Sequence, residues 1–331
     1  MENKANGKFV ISLDFELLWG VRDKKTKDGP YSDNIKGVHQ VIPNLLNIFT
    51  KYNIKATFST VGFLFFENKR ELVLHKPSLT PNYTNPKYSP YLGHFDMVKA
   101  NYLEDPYHFA PQLINEIKKY PDQEIGSHTF SHYYCLEAGQ TTACFKADLE
   151  MAVSVAKEKN IIIKSLVFPR NQFNKEYLQV CSTLGIICYR GNEHSWLYSA
   201  KSGSKENKLR RALRLIDAFI NISGNNCYKE TDIKYQNPID IPSSRFLRPF
   251  NKKIKLLDKF KLNRILHGMT YASKNNQIYH LWWHPHNFGI NQTENFAFLQ
   301  KILEHYKNLN SKYNFESITM KGLANKLINE R

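Results

Sequence analysis

Two kinds of apolar run alternate along this chain. Phe9-Val10-Ile11-Ser12-Leu13 is short, β-branched and apolar, and predicts a buried strand. Over 35–52, Val38, Val41, Ile42, Leu45, Leu46 and Phe49 recur at the helical period and predict an amphipathic helix. Lys55 to Leu64 predicts a second strand, so these three elements make a βαβ unit and hence a parallel sheet. The alternation goes on through a strand ending at Glu124-Ile125-Gly126, a helix from Thr142 to Lys159 and the strand Ser165-Leu166-Val167-Phe168. Asn174 then caps a helix running to Leu184, and Ile186 to Tyr189 is a strand that leaves through a polar turn from Arg190 to Trp196. Further on, Leu209 to Ile216 predicts a basic amphipathic helix, which reads either as a surface that meets anionic lipid or a phosphate or, as is commoner, as a helix with a solvated basic face. Gln277 to Trp283 is an aromatic-rich strand, 293–309 a helix, Phe315 to Thr319 a short strand, and a final helix ends the chain.

Two segments interrupt the pattern. Residues 77–110 hold Pro77, Pro81, Pro86, Pro90 and Pro106 with no regular period, which is the mark of a lid or binding loop. Its aromatics Tyr83, Tyr88, Tyr91, Phe95 and Tyr102 are of a kind that stacks on sugar rings, although such side chains more often pack a loop down. The stretch 201–250 is basic and ends in the compact loop Pro242-Ser243-Ser244-Arg245-Phe246-Leu247-Arg248-Pro249, suited to an anionic part of a substrate. No linker or internal repeat divides the chain. The expectation is therefore one α/β domain over 1–331, a barrel-like parallel sheet with helices outside and insertions at about 77–110 and 201–250.

Composition narrows the classes. With 42% hydrophobic and 23% charged residues the chain is not disordered. The formal charge of +16 points to an anionic partner, but the lysines are scattered and no nucleic-acid motif focuses them, so no nucleic-acid partner is expected. Five cysteines without a Cys-x-x-Cys spacing argue against a disulfide framework or a cysteine zinc site. No signal-peptide pattern is present, and no stretch approaches the roughly 20 apolar residues of a membrane span. A cytoplasmic protein with at most peripheral membrane contact is expected. No oligomeric state can be read from the sequence.

The candidate chemistry sits at predicted strand ends: Asp14 and Glu16, His128 and His132, Arg170, and His284 and His286. In a parallel barrel the C-terminal strand ends face one mouth, where residues distant in sequence meet. Two histidines four apart are common by chance. One carboxylate with two histidines is nevertheless a ligand set for a catalytic divalent metal, a second carboxylate can act as general base, and a further histidine as acid.

Four stretches carry a family resemblance: Ser12-Leu13-Asp14-Phe15-Glu16, His128-Thr129-Phe130-Ser131-His132, Arg170-Asn171-Gln172-Phe173 and Leu281-Trp282-Trp283-His284. In order and spread they resemble the motifs of the polysaccharide deacetylase family, the carbohydrate esterase group with a NodB homology domain. Phe15 stands where the family has its metal-binding Asp, and Glu16 fits an Asp-x-Glu variant of that motif. The resemblance implies a distorted parallel (β/α) barrel and a hydrolase that removes N-acetyl groups from an amino sugar. It implies metal ligation by Glu16, His128 and His132, Asp14 as base, His284 as acid, and Arg170 orienting Asp14. Exchanged roles for Asp14 and Glu16, and His286 as the acid, are the alternatives it leaves. The ion would be zinc, with cobalt, nickel or manganese as substitutes. Trp19, Trp196, Trp283, Arg245, Arg248 and His286 are expected to contact substrate. A cytoplasmic member, at the inner face of the membrane, would act on a capsule or O-antigen precursor, nucleotide- or lipid-linked. Competing readings are a hydrolase of a non-sugar C–N bond on the same fold and a non-catalytic carbohydrate-binding protein.

Overall fold

The computed structural model describes residues 6–199, 207–233 and 236–330. Strand β1 (Lys8–Phe15) is buried along its whole length because it has a neighbour on each edge and layers on both faces. It runs parallel to β2 (Ala56–Thr60) on one edge and to β9 (Gln277–Trp283) on the other. From β2 the sheet continues through β3 (Glu124–Ser127), β4 (Ser165–Leu166), β5 (Cys188–Gly191) and β7 (Ile239–Pro242), all parallel. Beyond β9 lies β6 (Tyr228–Lys229), antiparallel to it; β10 (Glu316–Ser317) extends the β1 edge, and β8 (Arg245–Phe246) pairs in parallel with β9.

Segment 239–246 closes the barrel. Its first half is β7, bonded to β5, and its second half is β8, bonded to β9. At the handover the Ser243 amide donates to the Gly191 carbonyl and the Ser244 amide to the His280 carbonyl. The stretch read from sequence as a compact basic loop is thus the seam of the sheet. The expected barrel of parallel strands is present, and among the described residues the antiparallel strand of this sheet is β6.

Helices surround the sheet, with the last one closing its floor: α1 (Ser32–Lys36), α2 (Val38–Lys51), α3 (Lys69–Leu74), α4 (Pro111–Lys118), α5 (Thr142–Glu158), α6 (Lys175–Thr183), α7 (Lys208–Asp217), α8 (Asp258–Lys274), α9 (Gln292–Tyr313) and, at the floor, α10 (Met320–Asn329). The α2 stripe of Val38, Val41, Ile42, Leu45, Leu46 and Phe49 is buried as its period requires. The strand period of two sorts β1 and β9. Phe9 stacks against Tyr306 of α9, and Trp283 meets Phe49 of α2, so the odd positions face the helices. The even positions line the interior. Val10 and Ile278 join Ile239, Ile241 and the α10 residues Met320, Leu323 and Leu327 in an apolar plug at the barrel's floor. Ser12, Asp14, His280 and Trp282 rise above it toward the mouth.

Two details differ from the sequence reading. Strand β5 starts at Cys188 and runs through Arg190, which is buried in the sheet and does not open a polar turn. Helices α3, α4 and α8 have no counterpart in the sequence reading. Segment 77–110 holds only short 3₁₀ turns, at Pro86–Tyr88 and Phe95–Met97, and its aromatics mostly pack down, with Tyr83 and Tyr91 among neighbouring rings. The run that opens the basic insertion, 201–206, lies outside the described residues.

Candidate active site

Glu16 lies just past the end of β1, and the residues after it place its carboxylate. Leu17 turns the chain in the left-handed region, at φ 46°. Gly20 then passes so close that a Cβ there would lie 1.9–2.2 Å from the Glu16 carboxylate. Only glycine leaves that space open.

After β3 the chain enters the histidine loop without forming a helix. Thr129 and His132 both have positive φ, 62° and 56°. Every other described non-glycine residue in that region is asparagine, except Leu17 and Arg170, which also flank this site. Strain of this kind persists only where the surroundings enforce it. Asp148 of α5 does so here, accepting the Phe130 amide at 2.7 Å, the Ser131 amide at 3.2 Å and the Ser131 hydroxyl. Gly62 admits Phe130 against the end of β2, and the Gly62 and Phe63 amides donate to the Thr129 and Phe130 carbonyls.

The loop brings His128 Nε2 to 3.2 Å and His132 Nε2 to 3.1 Å from Glu16 Oε2. The three ligand atoms lie within 4.8 Å of one another, and all three side chains are buried. His128 Nδ1 is 2.8 Å from the Val167 carbonyl and must donate its proton there. In a neutral ring its Nε2 lone pair then faces a carboxylate oxygen, an arrangement that calls for a cation between them. The group fits a divalent ion, with two imidazoles and one carboxylate leaving positions open. Burial alone would raise the Glu16 carboxyl, but His284, His128 and His132 hold it well below the usual range. Burial pushes His132 down to about 4, which keeps the ring neutral and able to ligate.

Asp14, two residues earlier on the same face of β1, is clamped by Arg190. Nη1 and Nη2 of that guanidinium donate to its two oxygens at 2.6 and 2.8 Å. Burial opposes ionisation, but Arg190, with His128 and His284, keeps the Asp14 carboxyl below its ordinary value. Arg190 also donates to Ser12 Oγ at 3.1 Å and to Asn171 Oδ1 at 2.9 Å, and lies 4.1 Å over the Trp282 ring. Under it, His280 bonds Ser12 Oγ at 2.8 Å.

His284 leaves β9 with Nδ1 3.3 Å from Asn287 Oδ1, which turns Nε2 into the cleft. That Nε2 is 3.6 Å from Asp14 and 3.7 Å from Glu16. His286 stacks on it at 4.9 Å, with Nδ1 3.7 Å from Glu16, and is buried. Burial first, then the neighbouring His284, pushes His286 down to about 3.

All four predicted clusters therefore share one cleft of about 320 Å³, lined among others by Asp14, Glu16, His128, His132, Arg170, His284 and His286. A larger chamber of about 730 Å³ shares Lys24, Arg170, Asn171, Phe246 and Trp282 with it and adds Arg211, Arg214, Arg248, Tyr88, Tyr198 and the acid Glu193.

Several expected contacts fall elsewhere. Arg170 does not orient Asp14. At φ 57° it turns away from the strand axis and bonds Asp23 at 2.6 Å and Glu137 at 3.1 Å, so it contributes to the cleft wall. Trp19 and Trp283 are in the core. The Trp19 indole N–H donates to the His108 carbonyl, and Trp283 packs against Phe49 and Phe288. Arg245 is buried on Asp217 at 2.6 Å and is not offered to a ligand. Trp196 is exposed and lines neither cavity. Arg248 lines the chamber as expected. Sequence reading missed Arg190, Trp282, Phe246 and Gly20. For Trp282 the signal was present: the position two before His284 shares its face, which puts Trp282, not Trp283, on the inner side.

This geometry has counterparts among known proteins. Residues 28–189 match the family model described as Polysaccharide deacetylase. A crystal structure described as a polysaccharide deacetylase from Mycobacterium smegmatis shares 11% identity and superposes with a TM-score of 0.63 over 100% of this chain and 93% of that one. A second, from Pseudomonas aeruginosa PAO1, shares 8% identity with a TM-score of 0.54 over 98% and 91%. Puue allantoinase shares 10% identity with a TM-score of 0.54 over 96% and 88%. No curated protein matches the chain. At such identities the solved structures speak for a shared barrel. The region matched by the family model, just under half of the chain, carries His128, His132 and Arg170, and there the chain is similar to the polysaccharide deacetylase family.

Proposed function

We propose that this protein is a metal-dependent hydrolase that removes the N-acetyl group from an amino sugar in a capsule or O-antigen precursor. The observation that carries the reading is the convergence of His128 Nε2 and His132 Nε2 on one Glu16 oxygen, beside the clamped carboxylate of Asp14. Glu16, His128 and His132 would hold the ion. Zinc suits the donor set, and cobalt, nickel or manganese would serve. A divalent ion at that point supplies Lewis acidity, acidifying water and polarising an amide carbonyl.

The chain's own groups do the rest. Asp14, ionised, accepts the proton of the water that attacks the acetyl carbon. Arg190 keeps Asp14 charged and fixes both its oxygens. His284, aimed by Asn287, gives the proton to the departing sugar nitrogen, so that acetate and a free amine leave. His284 suits that task better than His286, since its side chain is 23% exposed against 4%. The basic chamber beside the cleft, with Lys24, Arg211, Arg214 and Arg248, favours a sugar carried on a phosphate, nucleotide- or lipid-linked.

The test pairs elemental analysis of the purified protein with an acetate-release screen over N-acetylhexosamine conjugates. About one equivalent of divalent metal, and release abolished by chelation, is the expected result. Full activity after exhaustive chelation would overturn the metal role. Turnover confined to small non-sugar amides would transfer the chemistry to another C–N bond, and glycan binding without turnover would make the protein a carbohydrate-binding one. An inactive His286→Ala beside a fully active His284→Ala would reassign the acid.

A further inference from the structure

Helix α7 is built inside out. Its buried residues are Arg210 and Asp217. Leu209, Leu215 and Ile216 are 65%, 46% and 44% exposed, and Ile220 and Ile222 just beyond the helix are exposed as well. An ordinary surface helix does the reverse. The buried charges have evident work. Arg210 Nε donates to the Leu197 carbonyl at 2.8 Å, and Asp217 takes Arg245, the Tyr198 hydroxyl and the Ile222 and Ser223 amides. That network explains why the charges point in. It does not explain why the outward positions are leucine and isoleucine.

A second segment has the same character. In the turn Lys252–Leu257 and the start of α8, Leu256 is 91% exposed and Phe260 56%, with Ile254 and Leu257 partly so. Lys252, Lys253, Lys255 and Lys259 are interleaved with them. The two segments are neighbours. Arg248 Nη2 donates to the Arg214 carbonyl of α7 at 3.2 Å, and Lys261 Nζ of α8 donates to the Arg248 carbonyl at 3.2 Å. Arg248 and Arg214 are also walls of the basic chamber, so both segments lie beside its opening.

We propose that α7 with its continuation to Ile222, together with the Lys252–Phe260 segment, forms a face that docks on an anionic lipid bilayer. Exposed apolar area on this scale needs an occupant. Charge selects which one. The acids within these two segments are each paired, Asp217 buried on Arg245 at 2.6 Å and Asp258 with Lys261 at 2.8 Å, whereas Lys208, Arg211, Lys252, Lys253, Lys255 and Lys259 alternate with the apolar side chains. Protein interfaces are depleted of lysine at their cores, while interfacial membrane segments combine Lys and Arg with Leu and Phe in this way. Anionic headgroups attract the lysines, and the leucines and Phe260 enter the acyl boundary. No described helix is long and apolar enough to cross a membrane, so the contact is peripheral. Resting on the reaction proposed above, docking favours a lipid-phosphate-linked sugar over a nucleotide-linked one, because it holds the Arg214 and Arg248 chamber at headgroup level.

The experiment is sedimentation of the full chain with vesicles of phosphatidylglycerol and phosphatidylethanolamine, against vesicles of phosphatidylcholine alone. Partitioning is expected on the anionic vesicles and about tenfold less on the neutral ones. The pairs Leu209→Gln/Ile216→Gln and, separately, Leu256→Gln/Phe260→Gln are each expected to lower it about tenfold or more. All four positions are exposed, so wild-type circular dichroism and metal content should persist and serve as controls. Asp14→Asn should dock like the wild type, which separates failure of docking from failure of the deacetylase reading. Absence of partitioning, equal partitioning on both vesicles, or unchanged partitioning of the two double variants would overturn the proposal. So would a dimer in sedimentation velocity that the same substitutions dissolve, since the face would then join two copies of the chain.

Discussion

Arg190 sets the state of Asp14, and substitutions at this corner of the cleft have defined outcomes. Arg190→Lys keeps the charge but loses the two-pronged grip on both carboxylate oxygens. A fall in kcat of about 10- to 100-fold is expected, by analogy with other groups that orient a reacting side chain. In the proposed reaction Asp14 must be ionised to accept a proton, and its pKa is held low mainly by Arg190 against burial. Loosening that grip raises the pKa, so the acid limb of the pH–rate profile should move to higher pH; an unmoved limb would break the link. Gly20→Ala places a methyl in the space of the Glu16 carboxylate. Loss of metal with an intact circular dichroism spectrum is expected, read by elemental analysis. At this scale the sequence was half legible. Asp14, Glu16, His128, His132 and His284 were legible only together, as carboxylates and histidines gathered at several strand ends, because each alone has an ordinary use as a cap or a solvated side chain. Arg170 and Arg190 both lie at the ends of neighbouring strands, and choosing between them needed the backbone. A left-handed Arg170 turns to Asp23, while an in-sheet Arg190 points to the axis.

Among the elements, the loop after β3 is held by a helix that supplies no metal ligand of its own. Asp148 of α5 satisfies two amides and a hydroxyl of the turn between His128 and His132. Asp148→Asn replaces one accepting oxygen by a donor facing those donors. It should cost about 1–3 kcal/mol in denaturant unfolding. It should also weaken metal binding about 10- to 100-fold in a chelator competition, since the loop carries two of the three ligands. Wild-type affinity in a destabilised Asp148→Asn would show that the loop does not depend on this anchor. Helix α2 and the βαβ start were readable because their apolar period is complete on its own. Helix α7 was not, because periodicity says that a helix has two faces and leaves open which one turns in. The buried needs of Arg210 and Asp217 made that choice. Strands β4 and β10 lie within the apolar runs read as strands at Ser165–Phe168 and Phe315–Thr319, whereas β6 and β8, of two residues each, are too short to carry a period and were not read.

For the whole molecule, the barrel of parallel strands was legible from the alternation of strand and helix, but its closure was not. The seam depends on 239–246 leaving β5 for β9 halfway along its length. Arg245, at the start of β8, is pinned there by Asp217 from α7. Breaking such a buried pair by Asp217→Asn should cost about 3–5 kcal/mol, measured in urea. Burial would raise the Asp217 carboxyl, but Arg245 and the Tyr198 hydroxyl bring it far below its usual range. A depressed carboxyl stabilises the fold above the unfolded pKa of about 3.9, and that contribution fades as pH falls below it. The gap between wild type and Asp217→Asn should therefore be full at neutral pH and shrink below about pH 4. A gap independent of pH would assign the cost to packing and not to charge.

The central place of β1 has a further consequence, in the order of synthesis. Lys8 pairs with Ile278 and Leu13 with Trp283, so the strand bearing Asp14 and leading into Glu16 leaves the ribosome long before its second neighbour exists. Until β9 is delivered, one edge of Lys8–Phe15 stands unpaired, an aggregation-prone template that calls for protection by a chaperone. His284 arrives only with β9. On the roles proposed above, a chain stopped before β9 would carry Glu16, His128 and His132 but lack His284, the group that would protonate the leaving amine.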